Sequence, residues 1–358
     1  MGSDLKEILG LTSQELCGYL SERGELCFHG RQIYRAVYAH RKSSFDEITE
    51  LSKPLRAKLT KLAQVTFPSL RTLQQSTDGT EKYLLELSDL RMIEAVWIPE
   101  ERRITLCIST QVGCAMDCQF CLTALMGYSR NLTAGEIVGQ ILYILRDHER
   151  RDRPGSSHQK PINIVLMGMG EPLHNFSEVV KALVLMTDPE GLSLHRHRIT
   201  LSTVGLVPKI LELAKTPVVP NLAVSLSATT DEVRDRLVPI NRKYPIRELL
   251  EACARFSLGP KQYLTFEYVL IDGVNDSDQD ARHLVKLLAR LRAKVNLLPL
   301  NPGNSHDLKP SSPERVLRFQ GILVSKSLSA FVRRPRGIDI SAACGQLHQL
   351  QKNLEATC

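Results

Sequence analysis

The chain has 358 residues, 43% hydrophobic and 24% charged, which excludes collagenous, low-complexity and wholly disordered chains and allows about two domains. The net charge is +7, and because residues 1–90 hold 12 basic and 12 acidic side chains, the whole surplus lies beyond them, where it would suit a polyanion such as RNA. No apolar run approaches the roughly 18 residues that span a bilayer and the start MGSDLKEILG lacks the blocks of an export signal, so a cytoplasmic protein without a membrane partner is expected.

Residues 1–85 read as a helical unit, with short helices predicted over Asp4–Leu9, Ser13–Arg23, Gly30–Tyr38 and Lys53–Leu62. From about residue 80 the pattern turns to strand-like runs, KYLLEL and then MIEAVWIP ending at Pro99. Six strand-then-helix units follow. Their strands fall at 105–110, 162–170, 198–205, 221–228, 264–271 and 295–301, and the first helix opens at the capping box Thr133 to Glu136. Repeated crossovers of this kind require parallel strands covered by helices, as a barrel or an open doubly wound sheet. Arg, Pro, Gly and Ser mark a loop near 150–160. Residues 338–358 form a tail without strand period, which sets the expected division at 1–85, 86–337 and 338–358.

Nine cysteines, an odd number without an export signal, make a disulfide framework a poor explanation and favour metal or thiol chemistry. The sharpest motif is GCAMDCQFC, which places Cys114, Cys118 and Cys121 at C-x3-C-x2-C spacing directly after the first barrel strand. A structural zinc site normally takes four ligands, and no matching pair lies nearby. A 4Fe–4S cube also normally has four cysteines, so three leave one iron open to a substrate or cofactor. This spacing resembles the signature of the radical S-adenosylmethionine (SAM) superfamily, in which the open iron chelates the amino and carboxylate groups of SAM.

Gly168, Gly170 and Glu171 in MGMGEP end the second barrel strand, where glycine admits close approach and a glutamate can accept from an ammonium group. Ser202 ends the third strand, Ser225 and Ser227 the fourth and Asn301 the sixth, all on the face where such folds form active sites. Cys107 on the first strand reads as a small core hydrophobe. Cys344 in GIDISAACGQL is flanked by Ala342, Ala343 and Gly345, small residues that permit close approach and motion. Cys17, Cys27, Cys253 and Cys358 read as inert, and Glu94 taken alone reads as a strand-surface carboxylate.

TLCISTQVGCAMDCQFC, MGMGEP, ITLSTVG, VPINRKYPI, GVNDS and GIDISAACGQL together resemble the RlmN family of radical SAM enzymes, adenine C2 methyltransferases of 23S rRNA and certain tRNAs. The related Cfr-type enzymes, which methylate C8, share the cysteines. The resemblance implies a partial (β/α)6 TIM-like barrel behind a small helical N-terminal domain. It implies a 4Fe–4S cluster on Cys114, Cys118 and Cys121, and SAM held by Gly170, Glu171, Ser202, Ser225, Leu226, Ser227 and Asn301. Some relatives carry a histidine where this chain has Ser227; a backbone contact survives that change.

By the same resemblance Cys344 carries the methyl group, Cys107 is the resolving thiol and Glu94 the proton acceptor. Two SAM molecules serve each turnover, one methylating Cys344 and the other cleaved reductively with electrons from a donor such as flavodoxin. The methyl-derived carbon adds to C2 and leaves a covalent protein–RNA adduct. Cys107 then attacks the Cys344 sulfur as the C2 proton leaves, giving a disulfide that an external thiol reductant must open. The base has to stand outside its stack, so a loop adenine is expected. The rival outside this class is a metal-stabilised RNA-binding protein without turnover.

Overall fold

The structure is a computed structural model that describes residues 5–151, 160–256, 258–259, 262–301 and 308–347. The first unit contains β1 (Lys6–Glu7), α1 (Ser13–Ser21), α2 (Cys27–Tyr38), α3 (Lys53–Thr60) and β2 (Ala63–Gln64). Thr12 and Glu15 close a capping box at the start of α1, while α2 buries Ile33, Tyr34, Val37 and Tyr38 on one face. In place of the helix expected over Asp4–Leu9, β1 pairs parallel with β2; Asp4 itself lies outside the described residues.

Two cysteines read as inert are joined: Cys17 and Cys27 form a disulfide between α1 and the start of α2. Gly30 makes this possible, because a Cβ there would lie 2.9 Å from the Cys17 nitrogen. Cys253 is buried, and Cys358 lies outside the described residues.

The helical unit is shorter than expected. β3 (Ser69–Gln75) and β4 (Glu81–Glu86) fall before residue 86, yet they are strands of the main sheet, followed by β5 (Met92–Pro99) and β6 (Ile104–Cys107). β3 escaped the sequence reading because it is an edge strand, and SLRTLQQ carries little apolar alternation.

The remainder alternates as expected. After β7 (Gln111–Gly113), α4 (Leu122–Leu125) and β8 (Tyr128–Asn131) come α5 (Ala134–Arg151), β9 (Ile162–Leu166), α6 (Phe176–Thr187), β10 (Ile199–Thr203) and α7 (Val207–Leu213). Then follow β11 (Asn221–Ser225), α8 (Asp231–Leu237), α9 (Ile246–Arg255), β12 (Leu264–Leu270), α10 (Asp278–Leu288), β13 (Ala293–Pro299), α11 (Pro313–Ser325) and β14 (Ser329–Val332). The predicted capping box opens α5: the Glu136 N–H donates to the Thr133 hydroxyl, and the Thr133 N–H to the Glu136 carboxylate.

One ten-stranded sheet runs β14-β13-β12-β11-β10-β9-β6-β5-β4-β3. It is parallel from β6 to β14 and antiparallel from β3 to β6. β14 and β3 are its free edges, so the barrel stays open, and β14 adds a seventh parallel strand to the six expected. The first unit docks on α5, where Gly10 meets Gly135 so closely that a Cβ on Gly135 would stand 2.4 Å from the Leu9 oxygen. Among the described residues no helix is long and apolar enough to cross a membrane.

Candidate active site

Parallel crossovers send every loop after β6 and β9–β13 to one end of the sheet. There Cys114, Cys118 and Cys121 open into a cavity with Gly170, Glu171, Ser202, Ser225, Asn301 and Cys344. The cysteine loop hangs from the β7–β8 pair. Gly113, at φ +76°, lies so close to the Gly127 oxygen that a Cβ there would overlap it, which only glycine permits. Within the loop the Cys121 N–H donates to the Cys118 oxygen at 3.0 Å, and the Gln119 N–H ties the loop to Leu237 of α8 at 3.0 Å.

Burial pushes the Cys114 thiol up to about 12 and the Cys118 thiol well above its ordinary value, and the charges of neighbouring cysteines add to both shifts. Such thiols hold their protons until a metal displaces them.

Gly170 sits at φ +101°, and a Cβ on it would lie 2.5 Å from the Gln111 Cβ, so the backbone runs flush against the β7 start. Beside it Glu171 is buried and accepts from the Leu173 and Val204 N–H groups, each at 2.9 Å. Burial raises its pKa to about 7 against the opposing pull of those donors. Leu226 and Ser227 stand behind the cavity wall. The Ser227 hydroxyl accepts from the Val269 N–H at 3.3 Å and its carbonyl from the Asn275 amide at 2.7 Å, so its side chain is spent on β12 and its carbonyl on the loop that follows.

The tail lies across the cavity rather than trailing free. Gly337 accepts from the Ala342 N–H, Asp339 accepts from the Ser76 hydroxyl at 2.6 Å, and the Asn301 amide donates to the Cys344 carbonyl at 2.9 Å. The Leu122 N–H donates to the Gly345 oxygen at 2.8 Å and the Thr123 hydroxyl to the Leu347 oxygen at 2.7 Å, stitching the tail to the cysteine loop. Ala342 and Ala343 are buried, so the small residues serve close packing.

The Cys344 side chain keeps solvent access inside this enclosure, and its thiol is raised to about 11, first by burial and then by the Glu267 charge. Cys107 is buried on β6, and burial raises its thiol, the charge of Cys344 adding to the shift.

Glu94 is 2% exposed and not a surface carboxylate. It forms an ion pair with Lys82 at 3.3 Å, and Lys82 also donates to the Ser341 oxygen of the tail at 3.3 Å. Lys82 and Glu267 escaped sequence reasoning. Glu267 lines the cavity on β12, accepts from the Asn296 amide at 2.8 Å and has its pKa raised by burial. A charged residue inside an otherwise apolar strand run was the available signal for it.

Among the described residues no three His, Cys, Asp or Glu side chains converge as ligands of one ion. The three thiols around one cavity fit a cubane, in which each thiolate takes a different iron. The glycine-lined wall and the buried Glu171 carboxylate fit the amino end of SAM. Residues 108–285 match the family model of the radical SAM superfamily, and residues 6–65 that of the ribosomal RNA large subunit methyltransferase N-terminal domain. A dual-specificity RNA methyltransferase RlmN of Syntrophotalea carbinolica is 48% identical over 95% of this chain and 89% of its own length. The chain belongs to the RlmN family.

A second RlmN, from Geotalea uraniireducens, is 45% identical over 95% of this chain and 96% of its own. A crystal structure of a radical SAM methyltransferase from Sphaerobacter thermophilus superposes at TM-score 0.90 with 43% identity, covering 96% of this chain and 99% of that one. RlmN membership makes the chain a radical SAM RNA methyltransferase and implies a 4Fe–4S cluster and SAM as cofactors.

Proposed function

We propose that this chain methylates C2 of a loop adenine in 23S rRNA, and of an adenine in tRNA, with Cys344 as the methyl carrier. The supporting observation is that Cys344 opens into the same cavity as the cysteine triad. Cys114, Cys118 and Cys121 would hold the cluster. Gly170, Glu171, Ser202, Ser225 and Asn301 would hold SAM, with Leu226 and Ser227 acting through backbone. When bound, these groups supply the methyl group and a one-electron cleavage.

The chain's own residues do the rest. Glu171 offers a buried carboxylate to an ammonium, and Glu94, in an ion pair with Lys82, would be the proton acceptor for C2. Once the adduct has given up its unpaired electron and Glu94 has taken the C2 proton, Cys107 would attack the Cys344 sulfur, the S–S bond forming as the S–C bond breaks and the freed methylene carbon gaining a proton to become the methyl group. A donor such as flavodoxin and an external dithiol would restore the resting state.

The sequence beyond residue 90 clusters its arginines at 150–153, 196–198 and 333–336, and of these Arg333 and Arg334 are the ones suited to guide RNA. They follow β14 on the cavity side, where the Arg333 charge is felt by Cys344 and Glu267. Arg196 and Arg198 lie at the opposite end, ahead of β10; Arg151 and Arg336 are engaged by Glu81 and Asp78; and Arg153 lies outside the described residues.

The test is anaerobic reconstitution with iron and sulfide, then SAM, dithionite and rRNA or tRNA fragments, with nucleosides compared by mass analysis against C2 and C8 standards. We expect 2-methyladenosine from the native chain and none from Cys344→Ala. A variant that methylates at the original rate ends this reading.

A further inference from the structure

Arg234 is the largest fully buried side chain among the described residues, and the reaction outlined above gives it no task. It rises from α8, and its guanidinium is spent on oxygen atoms. Nε donates to the Leu226 carbonyl at 3.1 Å, Nη2 to the Val204 carbonyl at 2.6 Å and the Ser225 carbonyl at 3.1 Å, and Nη1 to the Asn241 side-chain oxygen at 2.9 Å. The three carbonyls belong to the ends of β10 and β11, which form the cavity wall.

Every nitrogen of the guanidinium has a partner, but none of those partners is an anion. Among the described residues no carboxylate forms an ion pair with the guanidinium within 4.0 Å; Asp231 and Asp235 act on its charge from farther off, and both bond the far side of the Asn241 amide, at 3.0 and 2.7 Å. Burying a cation without its anion costs several kcal/mol, which carbonyl dipoles offset only in part. Burial does depress its pKa, to about 10, which still leaves it charged at neutral pH. Of the ionisable groups that act on it Cys118, a thiolate once a metal has displaced its proton, comes first, and α8 itself grips the cysteine loop through the bond from Gln119 to Leu237. A buried cation with no carboxylate in contact, set behind a cavity of thiols, suits an anion in that cavity.

We propose that Arg234 is the counter-charge of the metal centre held by Cys114, Cys118 and Cys121, a positioning residue that stabilises the centre's electron-rich state and so raises its reduction potential. This rests on the reading of the cysteine triad as a cluster site. A cluster with three thiolates is anionic and gains one more negative charge on reduction, so a fixed cation across a low-dielectric wall favours the reduced form. The carbonyl contacts hold that cation still, and in the same act they align the strand ends assigned to SAM.

The experiment is an EPR-monitored dithionite titration of the reconstituted full chain, without RNA, with iron and sulfide content measured on each sample. Arg234→Gln is expected to keep its iron and lower the reduced-to-oxidised ratio at fixed potential about tenfold, a shift of about 59 mV to the negative for one electron. Arg234→Lys, which keeps the charge and loses the fork, should stay near the native midpoint.

Should Arg234→Gln fail to fold, Asn241→Asp sets a carboxylate against the guanidinium in place and should move the midpoint the same way. A native midpoint in folded, iron-loaded Arg234→Gln overturns the proposal. So does a lysine variant displaced as far as the glutamine one, or an unmoved Asn241→Asp. A native chain that takes up no cluster overturns instead the reading on which it rests.

Discussion

The cysteine loop and the tail face each other across one cavity but are secured by opposite means. The loop is local: the β7–β8 pair closes it, and its three thiols lie within eight residues, from Cys114 to Cys121. The tail is held by distant partners, namely Ser76, Asp78, Lys82, Leu122 and Asn301, and it brings Cys344 toward Cys107 across 237 residues of sequence. A metal site can thus be preserved while the thiol pair that uses it is lost, and the two halves of the chemistry should separate under mutation.

The largest expected effect draws that line. Cys118→Ala removes one iron's thiolate, so iron content and 5'-deoxyadenosine formation should both fall to background. Cys107→Ala should keep its iron and cleave SAM but fail to release product, so that a protein–RNA adduct accumulates on denaturing gels. Loss of iron in the second variant would show the loop and the tail pair to be one unit.

Next is the seam between the two regions. Gly345 sits at φ +78°, and a Cβ there would stand 3.1 Å from the Phe120 oxygen. Gly345→Val adds a β-branched side chain in the left-handed region, a strain of about 1–3 kcal/mol. Lifting the tail should cost methylation about tenfold or more, since 1.4 kcal/mol is a factor of ten. The iron content, assayed chemically, should be unchanged.

The same contrast explains what the sequence could disclose. The six parallel units follow from alternating periods, and the triad from spacing alone, because both are local. Cys344 drew notice for its small neighbours, but its docking could not be seen, since Asn301 and Leu122 reach it only through the folded barrel. Lys82 and Glu267 look like ordinary strand charges until antiparallel pairing sets Lys82 against Glu94 and the parallel register sets Glu267 beside Asn296. Gly30 gave no sign that Cys17 and Cys27 would meet, because the close approach of two helices is a tertiary fact.

A smaller effect reports on the wall between loop and tail. Glu171 must be ionised to receive an ammonium, and its pKa is raised to about 7. SAM affinity should therefore hold above pH 7 and fall as protonation proceeds, about tenfold per unit well below it. Glu171→Gln should bind weakly with no such dependence, as read by equilibrium dialysis on the cluster-loaded protein. A native profile flat from pH 5 to pH 8 would remove Glu171 from the amino-group site.

The smallest expected change concerns the approach to the tail's side of the cavity. Arg334 is exposed and, among the described residues, has no ion pair. A guanidinium held free beside the cavity gains its value from a phosphate, and each such contact to a single strand contributes about 0.7 to the slope of log affinity against log salt. Arg334→Gln should weaken binding of the RNA fragment several-fold at low salt and reduce that slope by about 0.7. Arg196→Gln, altered at the opposite end of the sheet, should leave both quantities at their native values. Equal losses in the two variants would mean that RNA is held by the general surplus of positive charge, and that the tail's side of the cavity has no privileged path for it.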